Sequence, residues 1–195
     1  MRNCVLVGIA AIAVGLLGAV KRFQAQSPVV VMEVPEGELV WTKERPKGAK
    51  MCIPAAFTDP EGEVEGEYRL DGKVYHPNKR LKVSIGKGTF YIDRKWHSNT
   101  GFQQLSLVYD GKPRTFKDRR KDIRRALCKK EDRVFLVQSR ARMTLTDFAA
   151  ACAPLASNAV YLDMGEYGYG YIGRRILSPW AYFRRKKQSN WICVR

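Results

Sequence analysis

Asp163 closes a short apolar run, Ala159-Val-Tyr-Leu162, and opens onto Gly165, Glu166 and an alternation of tyrosine with glycine, Tyr167-Gly-Tyr-Gly-Tyr171. The run has β-branched and aromatic members between Asn158 and Gly165, which is the composition of a buried strand, so Asp163 is expected at a strand's end. A carboxylate there costs free energy unless solvent, a cation or hydrogen-bond donors meet it. Function is one explanation, through a carboxylate that stabilises positive charge or acts on water. The other is an aspartate that simply accepts from amides of the next loop. Glu166 would supply a second carboxylate, or be a solvated loop residue. In an extended segment Tyr167, Tyr169 and Tyr171 would project to one side, either as an aromatic platform or as a cover for the core.

Little else in the chain competes for chemistry. His76 and His97 are isolated, no Ser/His/Asp order is present, and the cysteines contain no C-x-x-C pair, so neither a metal nor a cofactor is expected.

The elements that must position Asp163 are mostly strands. Val29–Val34, Met51–Phe57, Val64–Leu70, Lys73–His76, Leu81–Ile85, Thr89–Asp93, Gln103–Tyr109, Arg124–Lys129 and Arg133–Gln138 are short segments separated by turn residues such as Asp59-Pro60, Gly86-Lys-Gly88 and Asp110-Gly111. Asp71-Gly72 marks a tight hairpin. One amphipathic helix is expected over about Leu145–Ala156, with Thr144 as N-cap, Asp147 three residues on, and Pro154 disturbing its last turn. Asn190-Trp191 to Val194 reads as a final strand. Strands followed by one helix and another strand predict an α+β domain with one large strand-rich mixed sheet and few helices.

A length of 195 residues fits one domain of ordinary size behind a leader. Cys4–Val20 is an unbroken apolar or small-residue run after Arg2 and before Lys21-Arg22, so residues 1–26 read as a signal peptide or an N-terminal membrane anchor, and 27–195 as the domain. Export to a periplasm or cell envelope follows as an expectation. In an oxidising compartment Cys52, Cys128, Cys152 and Cys193 could pair in any of three connectivities. Cys52, Cys128 and Cys193 have apolar neighbours in expected strands, however, and are expected to be buried thiols rather than a disulfide framework. The net charge of +16 implies an anionic partner.

Ile53-Pro-Ala-Ala-Phe-Thr-Asp-Pro-Glu-Gly62, with Val64-Glu-Gly66 and Asp71-Gly-Lys-Val74, resembles the opening of phosphodiester glycosidase domains. The resemblance runs on in order through Leu105-Ser-Leu-Val-Tyr-Asp-Gly-Lys112, Arg124-Arg-Ala-Leu-Cys128, Arg133–Gln138, the Thr144-Leu-Thr helix start and Asn158-Ala-Val-Tyr-Leu-Asp163. It covers about Lys50 to Ile172. Two departures stand out: Pro54-Ala-Ala-Phe57 where the family usually has Asn-Gly-Gly-Phe, and Asp163-Met-Gly-Glu166 where it usually has Asp-Gly-Gly. Fold therefore transfers more readily than activity.

The resemblance implies a sugar-1-phosphodiester as ligand and, where catalysis is retained, its hydrolysis. That reaction needs an anion anchor, a carboxylate near the anomeric carbon and a second group that manages protons. Arg124 is the implied anchor, since a guanidinium can grip two phosphate oxygens. Asp163 and Glu166 are the implied carboxylates. Phe57 in the Pro54–Phe57 segment and the tyrosines 167, 169 and 171 would complete a sugar-binding cleft.

A reading from another class keeps the export and drops the catalysis. Lys112, Arg114, Lys117, Arg119, Arg120 and Lys121, with Arg184-Arg-Lys-Lys187, would bind anionic glycans or other polyanions by charge alone. No helix-turn-helix, zinc or RNA-binding signature points to specific nucleic-acid recognition.

Overall fold

The computed structural model describes residues 27–76, 89–91, 100–164 and 168–195, the stretches 89–91 and 184–187 by their backbone alone. The expected leader over residues 1–26, the expected strand over 81–85, His97, Glu166 and Tyr167 lie outside the described residues.

Among the described residues fifteen strands form three sheets, and one α-helix accompanies them. The first holds six strands in the order β1 (Val29–Glu33), β11 (Arg133–Ser139), β10 (Arg125–Lys130), β12 (Asn158–Tyr161), β8 (Ser106–Tyr109) and β9 (Lys112–Pro113). The second runs β14 (Arg175–Leu177), β13 (Gly170–Ile172), β3 (Met51–Pro54), β15 (Trp191–Val194), β2 (Leu39–Thr42). The third is β5 (Lys73–Tyr75), β4 (Tyr68–Leu70), β7 (Gly101–Gln103), β6 (Thr89–Tyr91). Every pairing among the described residues is antiparallel.

This corrects the expectation of one large mixed sheet: the fold is mostly β, in three antiparallel sheets. Short turns join β4 to β5, β8 to β9, β10 to β11 and β13 to β14, which makes those pairs antiparallel; the other pairs bring together strands far apart in the chain. Asp71-Gly72 and Asp110-Gly111 both carry positive φ at the two turn residues, 52° and 79° and then 50° and 71°, the twist that matches a two-residue hairpin.

The six-stranded sheet separates two cores. On one face Leu127, Leu136, Val160 and Leu162 meet Ile53, Ile192 and Trp41 of the second sheet and Tyr68 and Phe102 of the third. On the other, Ala126, Cys128, Phe135, Val137 and Ala159 meet Leu145, Phe148, Ala149 and Cys152 of α1 (Leu145–Cys152). Alternation along β10 explains the division, since successive residues of a strand face opposite ways. The helix starts as expected: the Thr144 hydroxyl accepts from the Asp147 amide. It ends at Cys152, short of the expected Ala156, before Pro154 can cost it a hydrogen bond.

The cysteines divide two ways. Cys52 and Cys193 stand directly opposite on β3 and β15 and are joined by a disulfide, with Cα atoms 4.2 Å apart. That corrects the expectation that Cys52 and Cys193 are buried thiols, while Cys128 is one. The pairing depends on a strand register formed by residues 141 apart, which spacing alone does not reveal. Cys128 and Cys152 are free and buried, hydrogen-bonded to one another, and this contact with their burial holds the Cys128 thiol well above its ordinary range. Mass mapping under non-reducing conditions is expected to recover one bridge, Cys52–Cys193, and two thiols slow to alkylate until the chain unfolds. Reducing that bridge should cost roughly 2 to 4 kcal/mol of stability.

Candidate active site

Asp163 lies where the central strand of the first sheet hands over to the second sheet. Its amide donates to Ala55 O at 2.9 Å, just beyond the end of β3, and Leu162 N donates to Arg125 O at 3.0 Å, just beyond the paired part of β10. The carboxyl accepts from the amides of Thr58 and Met164. Its Oδ2 is buried with no partner, and the residue is only 5% exposed. Desolvation outweighs the two amide bonds, so the carboxyl is held well above the ordinary carboxylate range, with Glu65 adding like charge.

Tyr161, two residues back on β12, connects Asp163 to Arg124. The Arg124 Nη1 donates to the Tyr161 hydroxyl at 3.2 Å, and the guanidinium carbon is 5.7 Å from the tyrosine ring centre. Burial raises the phenol's pKa against the opposing pull of Arg124, and Asp163 adds to the rise. Phe57 closes the other side, with ring centres 5.8 Å apart. Three of the residues expected to form the site, Arg124, Phe57 and Asp163, thus gather round a tyrosine not singled out from the sequence.

Arg124 is not an open phosphate fork. It is 2% exposed, and its other donors go to Arg120 O at 2.7 Å and Met143 O at 3.2 Å. It holds the Tyr161 oxygen as acceptor, leaving the phenol proton free to be donated elsewhere.

On the adjoining strand two more buried polar groups lack partners. Tyr161 N donates to Leu105 O, and Val160 faces Ser106 across the β12–β8 pair. Gln104 Nε2 and Ser106 Oγ, beside these positions, are unbonded and buried. Native interiors hold few such orphans, and each calls for an explanation.

The next residue of β10 points the opposite way. Arg125 is fully buried, its guanidinium bonded to Gln138 Oε1 at 3.0 and 2.9 Å, Gly168 O at 3.1 Å and Ser178 Oγ at 3.0 Å. Burial pulls it down to about 10, with Tyr161 opposing, so it remains a cation at neutral pH. Its partners are neutral oxygens, and through Gly168 it fixes the approach to β13.

Of the tyrosines expected as a platform, the two described, Tyr169 and Tyr171, do not form an open one. Tyr169 is buried and meets Tyr182 edge-on at 5.3 Å. Tyr171 pairs with Cys52 and packs with Trp191 over the disulfide. Between them Gly170 lets β13 approach β3 closely: a Cβ there would stand 2.8 Å from Cys52 O.

Asn190 is the second residue that sequence reasoning passed over. Fully buried, it accepts from Trp41 Nε1 at 3.2 Å and Ala56 N at 2.7 Å, and donates to Ala56 O at 3.1 Å. It therefore sets the Pro54–Phe57 segment against Asp163. The signal available in sequence was a lone asparagine at the mouth of an apolar strand. Among the described residues no group of three His, Cys, Asp or Glu is arranged to hold a metal ion, and no helix is long and apolar enough to cross a membrane.

These features define a class: an antiparallel three-sheet domain with a buried carboxyl, its pKa raised by desolvation, at a sheet junction. No family model matches the chain, and no curated protein matches it. Among solved structures, its fold is similar to the catalytic domain of zebrafish N-acetylglucosamine-1-phosphodiester α-N-acetylglucosaminidase, auto-inhibited by its pro-peptide. The TM-score is 0.53 at 14% identity, over 86% of this chain and 72% of that one. A hypothetical protein from Synechocystis aligns at a TM-score of 0.46 and 12% identity, over 86% of this chain and 57% of that one. The likeness to the zebrafish domain is one of fold.

Proposed function

We propose that this is an exported, phosphodiester-glycosidase-like protein that binds a sugar-1-phosphodiester at Asp163 and hydrolyses it. The observation that carries the reading is Asp163 itself, a buried carboxyl with one unbonded oxygen, in a fold similar to that of a sugar phosphodiester glycosidase. The direction of its pKa shift chooses between two roles. A carboxyl whose pKa burial raises gives up its proton less readily than a solvated one, which suits it to donate a proton to the leaving phosphate oxygen more than to stand as a permanent negative charge. After cleavage the resulting carboxylate takes a proton from the water that attacks the anomeric carbon. Tyr161, held by Arg124, donates a hydrogen bond from its hydroxyl to a substrate oxygen; Glu166 and Tyr167 are the sequence's candidates for the sugar side, whereas the rings of Tyr169 and Tyr171 are taken up by Tyr182 and the disulfide cluster. Access to Oδ2 requires the covering side chains to part.

The test is release of reducing sugar from a panel of sugar-1-phosphodiesters by the full chain. Turnover of at least one member is expected, falling at pH values where Asp163 has lost its proton. No turnover across a broad panel would favour the second reading, a non-catalytic binder of anionic glycans. That reading has its own support, since Lys112, Arg114, Lys117, Arg119, Arg120 and Lys121 are all exposed. Binding by that surface alone would collapse with added salt.

A further inference from the structure

Seven large hydrophobic side chains are exposed among the described residues, and four of them fall within eight positions: Ile176, Trp180, Tyr182 and Phe183, at 55, 59, 41 and 88%. A phenylalanine at that exposure loses nearly all the free energy its burial would return. Such clustering is the mark of a surface that meets something apolar.

The ridge is held rigidly from beneath. Leu177 and Ala181 are buried, Ala181 N donates to Ser178 O at 3.0 Å, and Arg125 holds the Ser178 hydroxyl from inside the core. Tyr182 packs edge-on between Tyr169 and Phe183. The ridge also follows β14, which is an edge of its sheet and has only β13 beside it.

Its charge is uniform. From Arg174 to Lys187 the chain carries six basic residues and no acidic one, with Arg174 and Arg175 exposed on the approach. Aromatic rings with polar edges, an aliphatic side chain and flanking cations are the combination that sits at the boundary between lipid headgroups and acyl chains.

We propose that the Arg174–Phe183 surface docks on an anionic lipid bilayer, with Trp180 and Phe183 entering the interface and Arg174 and Arg175 meeting the headgroups. A nucleic acid would use the cations and stack on the rings, but it has no use for Ile176. The same chain carries the apolar Cys4–Val20 run, which as a sequence is suited to a membrane, so headgroups would lie within reach of the domain. This proposal is independent of the activity at Asp163.

The full chain would be mixed with vesicles of phosphatidylcholine alone, or of equal parts phosphatidylcholine and phosphatidylglycerol, carrying bromine on the acyl chains. Because the N-terminal run can hold the chain on either vesicle, two readouts specific to this surface are used. The first is tryptophan quenching that is present with the anionic vesicles and disappears in Trp180→Tyr. Trp41 and Trp191 are buried in the core and give no such signal, and the remaining tryptophan is removed beforehand by Trp96→Phe in every protein compared. The second is the preference for anionic over neutral vesicles, expected to fall at least tenfold in Trp180→Ser/Phe183→Ser and again in Arg174→Gln/Arg175→Gln. All of these positions are exposed, so the variants should fold, which an unchanged melting temperature would check. Quenching that Trp180→Tyr leaves unchanged, or an anionic preference that both double variants retain, would overturn the proposal. So would tight oligonucleotide binding that needs Trp180 and Phe183 while vesicles are ignored, since that assigns the ridge to another partner.

Discussion

Asp163→Asn is expected to abolish sugar release while making the protein more stable at neutral pH. The two effects share one cause. The carboxyl is buried, accepts only two amide hydrogen bonds and leaves Oδ2 bare, so ionising it inside the fold is costly. Its folded pKa lies above the ordinary 3.8 of the unfolded chain. Below that value both states are protonated and the site carries no penalty. As pH rises through the window between the two pKa values the unfolded state releases its proton first, so stability falls; above the folded pKa the loss is complete. Asparagine keeps the shape and never ionises. Its advantage in chemical denaturation should be about 1 to 3 kcal/mol at pH 7 and should vanish near pH 3. Turnover should drop by roughly 100- to 10,000-fold, the range for losing a positioned proton donor, with little change in ligand affinity. Loss of turnover without any gain in stability would mean that the carboxyl is better solvated than its burial implies. Full activity in the variant would remove Asp163 from the chemistry.

The largest structural effect is expected at Asn190. Alanine there would strip partners from Trp41 Nε1, Ala56 N and Ala56 O, all inside the protein. Each buried orphan costs roughly 1 to 3 kcal/mol, and single domains have only about 5 to 15 kcal/mol in total. We expect a loss of about 3 to 5 kcal/mol by denaturant titration. Asn190→Asp isolates the amide's contribution, because it keeps the oxygen that serves Trp41 and Ala56 N but introduces a charge and gives up the donor to Ala56 O. It should be nearly as harmful at pH 7 and milder in acid. A loss below 1 kcal/mol for the alanine variant would mean that water replaces the amide.

Local signals in the chain were read with some success. Thr144 with Asp147 marks the helix start, Asp71-Gly72 the hairpin, and the apolar run before Asp163 the strand it terminates, because each depends on neighbours a few residues away. What could not be read is set by partners far off in the chain. The division into three sheets follows from register, and β2 is only four residues long, too short for a periodic pattern to announce it. Arg124 and Arg125 look alike in sequence, yet strand alternation turns one toward Tyr161 and the other between the sheets. Tyr161 itself was hidden inside the run taken as a core strand, and nothing local shows that its hydroxyl receives a cation. Tyr169 and Tyr171 alternate as an extended segment should, but the 3-10 turn over Pro179–Lys187 and the disulfide claim their rings.

The position of β15 has a consequence for the order in which the protein can form. It lies between β2 and β3, pairing Trp191 with both Thr42 and Pro54, so two strands from the first third of the domain are separated by one from its far end. Until Trp191–Val194 arrives, neither has this partner, Asn190 cannot hold the Pro54–Phe57 segment, and Cys52 has no Cys193 to join. This sheet can therefore close only after residues 191–194 have been made. Such long-range closure is slow compared with local turns and helices. During that interval Cys52 and Cys193 remain apart, and the disulfide then records that the last strand has reached its place.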